Sequence, residues 1–393
     1  MADRSVPTAH RAFKYRLYPN SNQLRELWIM LETHRRLYNA ALEQRNWIWK
    51  QRHVSINYNS QSAELPDLRV GSEWMAKTNH SSCQATLRRL DKAFQRFFDR
   101  IKRGEEPGHP RFKGRDRFDS VEFPAYGDGI KLIDTKLRIQ HVGTVKVKLH
   151  RPVGGRIKTV TLKCEADKWY AIFSCEAEAM EAPASQLPET GIDVGLESFL
   201  TDSNGVHEPN PRYLKAELPA LRVAQRTVSR RRKGGKNRKR AVRKVRVIHA
   251  RIKNQRREHH YQVADKLIRR FGFIGAERLS VSNMVRNRSL SRAISDAGWS
   301  QFLGILKHKA NKAGASVVEV DPRGTSQECS GCGKEVPKPL SCRWHSCPHC
   351  ELSIHRDHNA ALNILARARQ ARTELAGLNA AAVRARVPRS RRL

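Results

Sequence analysis

The chain has 393 residues and carries 75 Lys and Arg against 38 Asp and Glu, a formal charge of +37. Such an excess costs self-repulsion in a compact state and points to a polyanionic partner, while 39% hydrophobic residues exclude wholesale disorder. There is no run of 18 apolar residues, and "MADRSVPTAHRAFKYRLYP" lacks the apolar centre of a signal peptide. Nucleic acid is therefore expected as the partner, with no membrane, in a reducing cytoplasm where the eight cysteines are thiols or metal ligands.

In chain order, "RAFKYRLYPN" reads as a strand ended by Pro19. Leu24, Leu27, Trp28, Leu31, Tyr38 and Leu42 then line one face of a helix. "NYNSQSAELPDLRVGS", polar and holding Pro66 and Gly71, reads as a loop. Leu87, Leu90, Phe94, Phe97, Phe98 and Ile101 mark a second helix, which "KRGEEPGHPRFKGRDR" breaks. The period changes between Val121 and Glu176, where "VKVKLH", "IKTVTLK" and "KWYAIFSCE" read as strands with basic residues on one face. "AEAMEAPASQLPET" links to a second half that alternates types: a strand "GIDVGLESFLT", a turn at "DSNG", and a polar helical stretch from Tyr213 to Arg270 interrupted at Gly234 and Gly235. The strand "FGFIGAE" follows, then a helix marked by Trp299, Phe302, Leu303, Leu306 and Ala310, the strand "ASVVEV", a cysteine-rich insert and the helix "RDHNAALNILARARQ". The Arg- and Ala-rich tail after Glu374 is expected to fray.

Between Arg222 and Arg257 lie 17 Lys and Arg and no acid. An ordinary charge run is a solvated helix face. This one is too uncompensated for that, and contact with phosphates is expected, with Arg230, Arg231, Arg232, Lys233, Lys236, Arg238, Lys239 and Arg240 at its centre. Such contacts hold a backbone without reading sequence and weaken steeply with salt. Trp47, Trp49, Tyr58 and Trp74 either stack on bases or belong to the core.

The insert spaces Cys329 and Cys332 by two residues, then Cys347 and Cys350 by two after a gap of 14. Two such knuckles present four thiolates to one tetrahedral Zn2+, as in a zinc ribbon, and four protein ligands leave no position for water, so the ion is structural. Cys342, His345 and His349 are alternative ligands; Cys342 breaks the paired geometry and is left out. Cys83, Cys164 and Cys175 read as small core residues.

Three acids stand in awkward places. Asp193 interrupts the apolar "GIDVG", Glu277 ends "FGFIGAE", and Asp357 begins a helix. Singly they read as an edge or turn residue, a solvated strand end and an N-cap. Together, at strand ends and a helix start of one α/β unit, they can converge on Mg2+, and two such ions drive in-line phosphodiester cleavage.

The ordered motifs "YRLYPN", "PRFK", "GIDVGL", "ERLSVSNM", "AISDAGW", "TSQECSGCG", "CPHC" and "RDHNAALNIL" span nearly the whole chain. In them the sequence resembles the TnpB family, encoded by insertion-sequence 200/605 and 607 transposons and related to type V CRISPR Cas12 nucleases. The resemblance implies an Mg-dependent RNA-guided DNA endonuclease of α/β multidomain fold. Its RuvC, RNase H-like nuclease domain would fall in residues 189–327 and 352–372, with a basic helical hairpin at 211–270 and a zinc-ribbon target-nucleic-acid-binding insert at 328–351. A wedge β-barrel would come from residues 1–19 and 106–180, interrupted by a helical recognition domain at 20–105, with a linker at 181–188 and a basic tail at 373–393. The family's three acids map onto Asp193 (with Gly195), Glu277 and Asp357 (with Arg356 and Asn359), so the copy looks catalytically intact. Arg278 follows Glu277 where the family often has Asp or Asn. Tyr58 and Gln84 are candidates for reading a short motif beside the target, Gln84 by bidentate pairing with adenine, or are simply packing residues. Expected partners are a guide RNA from the transposon end and double-stranded target DNA, with one protein chain per RNA, near a prokaryotic nucleoid. The alternatives are a DNA strand-transferase, which also uses three acids and metal, and a catalytically idle RNA-guided DNA-binding regulator.

Overall fold

The computed structural model describes residues 8–178, 183–339 and 341–386; the starts of the expected first strand segment and linker and the end of the basic tail lie outside them. It divides into two units, Met1–Ala179 and Met180–Leu393.

In the first unit β1 (Thr8–Tyr18) leads into α1 (Ser21–Arg52). Asn20 caps this helix in a capping box with Gln23, two reciprocal bonds that satisfy orphan backbone donors. The expected loop after it is not a loop. It holds α2 (Tyr58–Ala63) and α3 (Leu65–Val70), and α4 (Glu73–Ala76) follows directly after it. Local caps outweigh the polar composition: the Asn57 carboxamide accepts from the N–H groups of Asn59 and Ser60, and Pro66 sits in the first turn of α3. Then comes α5 (His80–Lys102), capped by Asn79. Its apolar stripe outlasts the surface it packs on, so Leu87 and Leu90 are buried while Phe98 and Ile101 stand exposed.

Six more strands follow: β2 (Ser120–Phe123), β3 (Ile130–Ile133), β4 (Lys136–Ile139), β5 (Gly143–Lys148), β6 (Arg156–Glu165) and β7 (Lys168–Glu178). With β1 they make an all-antiparallel sheet in the order β2-β6-β7-β1-β5-β4-β3. Alternation sorts the side chains: Val145 and Val147 enter the core with Tyr15, Leu17 and Phe173, while Lys146 and Lys148 face out. The five helices are thus an insertion between two strands of one sheet.

The second unit opens with β8 (Glu189–Asp193), β9 (Ser198–Asp202) and β10 (His207–Pro209). The single strand expected over 191–201 is a hairpin, turned where the Gly195 N–H donates to the Phe199 carbonyl at 3.3 Å. Burial on both faces keeps the residues apolar on either side of the turn and hides it from periodicity. After α6 (Tyr213–Arg230) and α7 (Lys236–Arg270) come β11 (Phe273–Glu277), α8 (Val281–Met284), α9 (Ser291–Ala297), α10 (Trp299–Lys312) and β12 (Ser316–Val320). A two-stranded ribbon, β13 (Trp344–Ser346) and β14 (Ser353–His355), precedes α11 (Arg356–Arg386). The tail expected to fray is therefore helical as far as Arg386.

The sheet order is β10-β9-β8-β11-β12, antiparallel through β8 and parallel from β8 to β11 to β12. Ile192, Ile274 and Ala276 pack with Val263, Ala264 and Leu267 of α7 and with Trp299, Phe302 and Leu306 of α10. Phe273 and Val320 pack instead with Ile364, Leu365 and Ala368 of α11. Residues of opposite parity thus meet different helices, and the sheet is covered on both faces.

Candidate active site and cysteine cluster

Asp193 and Glu277 are the last residues of β8 and β11, adjacent parallel strands in which Ile192 faces Ala276. All five residues of β11 but the last are buried, so the carboxylate is where the strand emerges. The same pairing sets Gly191 opposite Gly275. These two glycines form the trough that receives α11. A Cβ on Gly191 would stand 2.1 Å from the Ala361 carbonyl oxygen and 2.6 Å from the Leu365 nitrogen, and one on Gly275 would stand 2.7 Å from the Ala368 Cβ. Ala361 lies one helical turn after Asp357, so this close packing brings the first turn of α11 over the end of β8. Asp357 Oδ2 lies 3.9 Å from where a Cβ of Gly195 would be.

The electrostatics agree with this placement. Burial pushes the Asp193 carboxyl well above the usual range, and the charges of Glu277 and Asp357 raise it further against an opposing pull from Arg356. Burial also raises Glu277, opposed by the Thr325 hydroxyl, which donates to Glu277 Oε1 at 2.6 Å, and by Arg367. Arg356 is itself committed elsewhere: its guanidinium donates to the Pro339 carbonyl at 2.8 Å and to Ser326 Oγ at 3.1 Å. The site is thus a set of hard oxygen donors, partly desolvated and carrying like charge, a combination suited to a divalent cation such as Mg2+.

In the insert, Cys329, Cys332, Cys347 and Cys350 come together with their sulfurs all within 4.8 Å, and no other group of three or more potential ligands among the described residues is grouped in this way. The carboxylate trio is more open than that. Cys329 and Cys350 sulfurs are 3.5 Å apart and those of Cys332 and Cys347 are 3.6 Å apart. Four ligands at ~2.3 Å around a tetrahedral Zn2+ would stand about 3.8 Å from one another, so the quartet fits that ion. Cys342 is outside it, its thiol bonded to the Trp344 carbonyl, and His345 is buried with Nδ1 against the Lys338 ammonium. The two knuckles repeat one backbone pattern. Gly333 donates to the Cys329 carbonyl, Glu351 donates to the Cys347 carbonyl, and both are left-handed, at φ 73° and 59°. A side chain is strained at that φ, so Glu351→Gly is expected to stabilise the folded protein by about 1 kcal/mol, read as a higher midpoint in thermal unfolding.

Three family models match parts of the chain: "Helix-turn-helix domain" over residues 9–53, "Probable transposase" over 172–288, and "Cas12f1-like, TNB domain" over 299–364. A Streptomyces pristinaespiralis protein named "Putative RNA-guided DNA endonuclease" is 34% identical over 369 residues, covering 91% of this chain and 89% of its own length. "Putative RNA-guided DNA endonuclease InsQ" of Escherichia coli K12 is 29% identical over 91% of this chain and 92% of its own. The chain belongs to the TnpB family. The fold of this TnpB-family chain is also similar to that of the protein in the structure "Cryo-EM structure of the Cas12f1-sgRNA-target DNA complex", with a TM-score of 0.57 and 13% identity over 91% of this chain and 98% of that one. In this chain, the residues matched by the helix-turn-helix model form β1 and the single helix α1.

The other expected binding residues of this TnpB-family chain are placed as follows. Arg230, Arg231, Arg232, Lys233, Lys236, Lys239 and Arg240 are all exposed at the tip of the α6–α7 hairpin, and Arg238 is half-buried, donating to the Val228 carbonyl at 3.3 Å. Most of the buried residues of α7 (His260, Val263, Ala264 and Leu267) lie toward its C-terminal end, which leaves its first turns free to carry basic residues. Tyr58 and Gln84 lie on α2 and α5. The Tyr58 ring sits under the Arg88 guanidinium at 4.9 Å, and Gln84 donates to Ser62 Oγ at 3.3 Å. Trp47, Trp49 and Trp74 are exposed.

Sequence reading placed Asn359 beside Asp357 but missed Thr325 and Asn363 as supports of the site. Besides Thr325, Asn359 Oδ1 accepts from the Ser330 N–H at 2.9 Å, and Asn359 and Asn363 both donate to the Glu328 carbonyl, at 2.7 and 2.8 Å. They tie the base of the cysteine insert to the helix that carries Asp357. Their spacing of four on one helix face was the signal available.

Proposed function

We propose that this protein is an RNA-guided DNA endonuclease whose cut is made at Asp193, Glu277 and Asp357. The observation that carries the reading is a desolvated carboxylate flanked by two others, in a chain matched along most of its length by relatives named for that activity. On this reading residues 189–327 and 352–372 are a RuvC-type nuclease domain and 328–351 a zinc ribbon. Residues 1–19 and 106–180 are a wedge barrel around the recognition helices of 20–105.

Asp193, Glu277 and Asp357 would hold Mg2+, which when bound supplies an activated water and neutralises charge on the phosphate and the leaving oxygen, two ions sharing these tasks. Thr325 fixes the Glu277 carboxylate by its hydrogen bond. Ala361 and Ala368 of α11, seated on Gly191 and Gly275 of the sheet, hold Asp357 in register with Asp193. The exposed cations of the α6–α7 hairpin neutralise phosphates of the guide RNA and heteroduplex without reading sequence. Sequence is read by base pairing, and Tyr58 and Gln84 face the short motif beside the target.

The test is to express the protein with its flanking locus, sequence the RNA that co-purifies, and present a target library with randomised flanks. Mg2+-dependent cutting beside one enriched flank is expected. Joined rather than cut products would favour a strand-transferase, and tight target binding without cutting would favour a regulator. Zinc is expected at one equivalent per chain by elemental analysis. Cys347→Ser should lose that zinc and loosen the insert that braces α11.

A further inference from the structure

Trp344 is 54% exposed, yet it is fixed. Its indole N–H donates to Ser353 Oγ at 2.7 Å, and it faces His355 across the β13–β14 ribbon with ring centroids 6.3 Å apart at 86°. His355 in turn meets the His207 ring edge-on at 4.8 Å and 82°. His207 is bonded through Nδ1 to the Thr201 hydroxyl at 2.8 Å, and Thr201 is the cross-strand partner of Asp193. His355 Nδ1 also accepts from the Asp357 N–H at 3.2 Å. A continuous series of rings therefore runs from an exposed indole to residues beside two of the three acids. The neighbouring Arg343 is bonded to Glu197, in the turn that follows Asp193, which fixes the ribbon to that turn.

We propose that Trp344 is a stacking platform for a base of single-stranded DNA close to the scissile phosphate, and that it positions that strand over the acids. This rests on the nuclease reading above. An indole whose polar edge is already satisfied offers only its face, and a π-face accepts any base. That suits a strand whose sequence is set elsewhere by pairing with RNA. A rigid platform loses little entropy on binding, which distinguishes Trp344 from an exposed aromatic on a mobile loop. The ribbon is anchored at both ends: the Cys347 and Cys350 knuckle lies between its strands, and α11 begins where β14 ends.

The experiment uses the full chain with its co-purified RNA and the target duplex, in the Asp193→Ala background so that no strand is cut. 2-Aminopurine is placed at single positions along the displaced strand. Fluorescence quenching is expected at one or two adjacent positions. It should be lost in Trp344→Ala and retained in Trp344→Phe. In the cutting-competent protein, Trp344→Ala should slow cleavage on the order of tenfold, with Trp344→Phe near wild type and zinc content unchanged in both. Equal quenching with and without the Trp344 ring, or none at any position while the target stays bound, would overturn the platform. Because quenching is read without cleavage, failure of the nuclease reading appears separately, as wild-type protein that binds target and never cuts it.

Discussion

Asp193→Ala is expected to abolish DNA cutting, a loss of roughly 10³-fold or more, while RNA and target binding persist. The carboxylate sits at the end of β8, close enough to Glu277 and Asp357 to be raised by both, and the desolvation there is large. Without a counter-ion the site is therefore strained, and the sign of that strain gives a second readout. The folded-state pKa of Asp193 lies above its unfolded value, so the fold favours the protonated form. Stability at this group is undiminished below the ordinary carboxylate range and is lost as pH rises toward and through the folded value. Asp193→Asn cannot ionise. In metal-free buffer at pH 7 it should melt higher than wild type, by about 2–4 °C for each kcal/mol regained, and the gap should close in acid. A variant that melts higher and cuts nothing marks a functional acid; one that melts lower marks a structural one. Normal cutting by the purified alanine variant would refute the assignment.

Gly191→Val should cost about 3 kcal/mol or more and lower the melting point on the order of 10 °C. The clash is with main-chain atoms of α11, the Ala361 carbonyl at 2.1 Å and the Leu365 nitrogen at 2.6 Å, which have no rotamer to retreat into. The helix must move off the sheet and take Asp357 with it, so cutting should fall with stability. Gly304→Ala is the control. It lies inside α10 with nothing within 4 Å of the new Cβ, and should stabilise by up to about 1 kcal/mol without touching activity. Gly191→Val with an unchanged melting point would show that α11 does not rest on this strand as described.

Much of the second unit is legible in the residues. The helix periodicity of Trp299, Phe302 and Leu306, the break at Gly234 and Gly235, and the paired cysteines each have a short-range signature. The convergence of the acids has none. Asp193 and Glu277 meet only because β8 and β11 pair in parallel across the intervening hairpin of helices, a non-local contact that no local pattern encodes. The hairpin between β8 and β9 was hidden for a related reason, since central strands are apolar throughout. A polar composition typical of loops hides the short helices α2 and α3, which form on the capping carboxamide of Asn57 and on Pro66 in the first turn of α3. Thr325 and Asn363 acquire meaning only once α11 is docked against the insert.

The central claim is that three carboxylates share divalent ions. Mn2+ binding to the complex of protein, guide RNA and target, followed by electron paramagnetic resonance, tests it without relying on turnover. Wild type should show saturable sites that vanish in Asp193→Ala and weaken sharply in Glu277→Ala and Asp357→Ala, with the complex still assembled. Undiminished Mn2+ binding in all three variants would contradict the account.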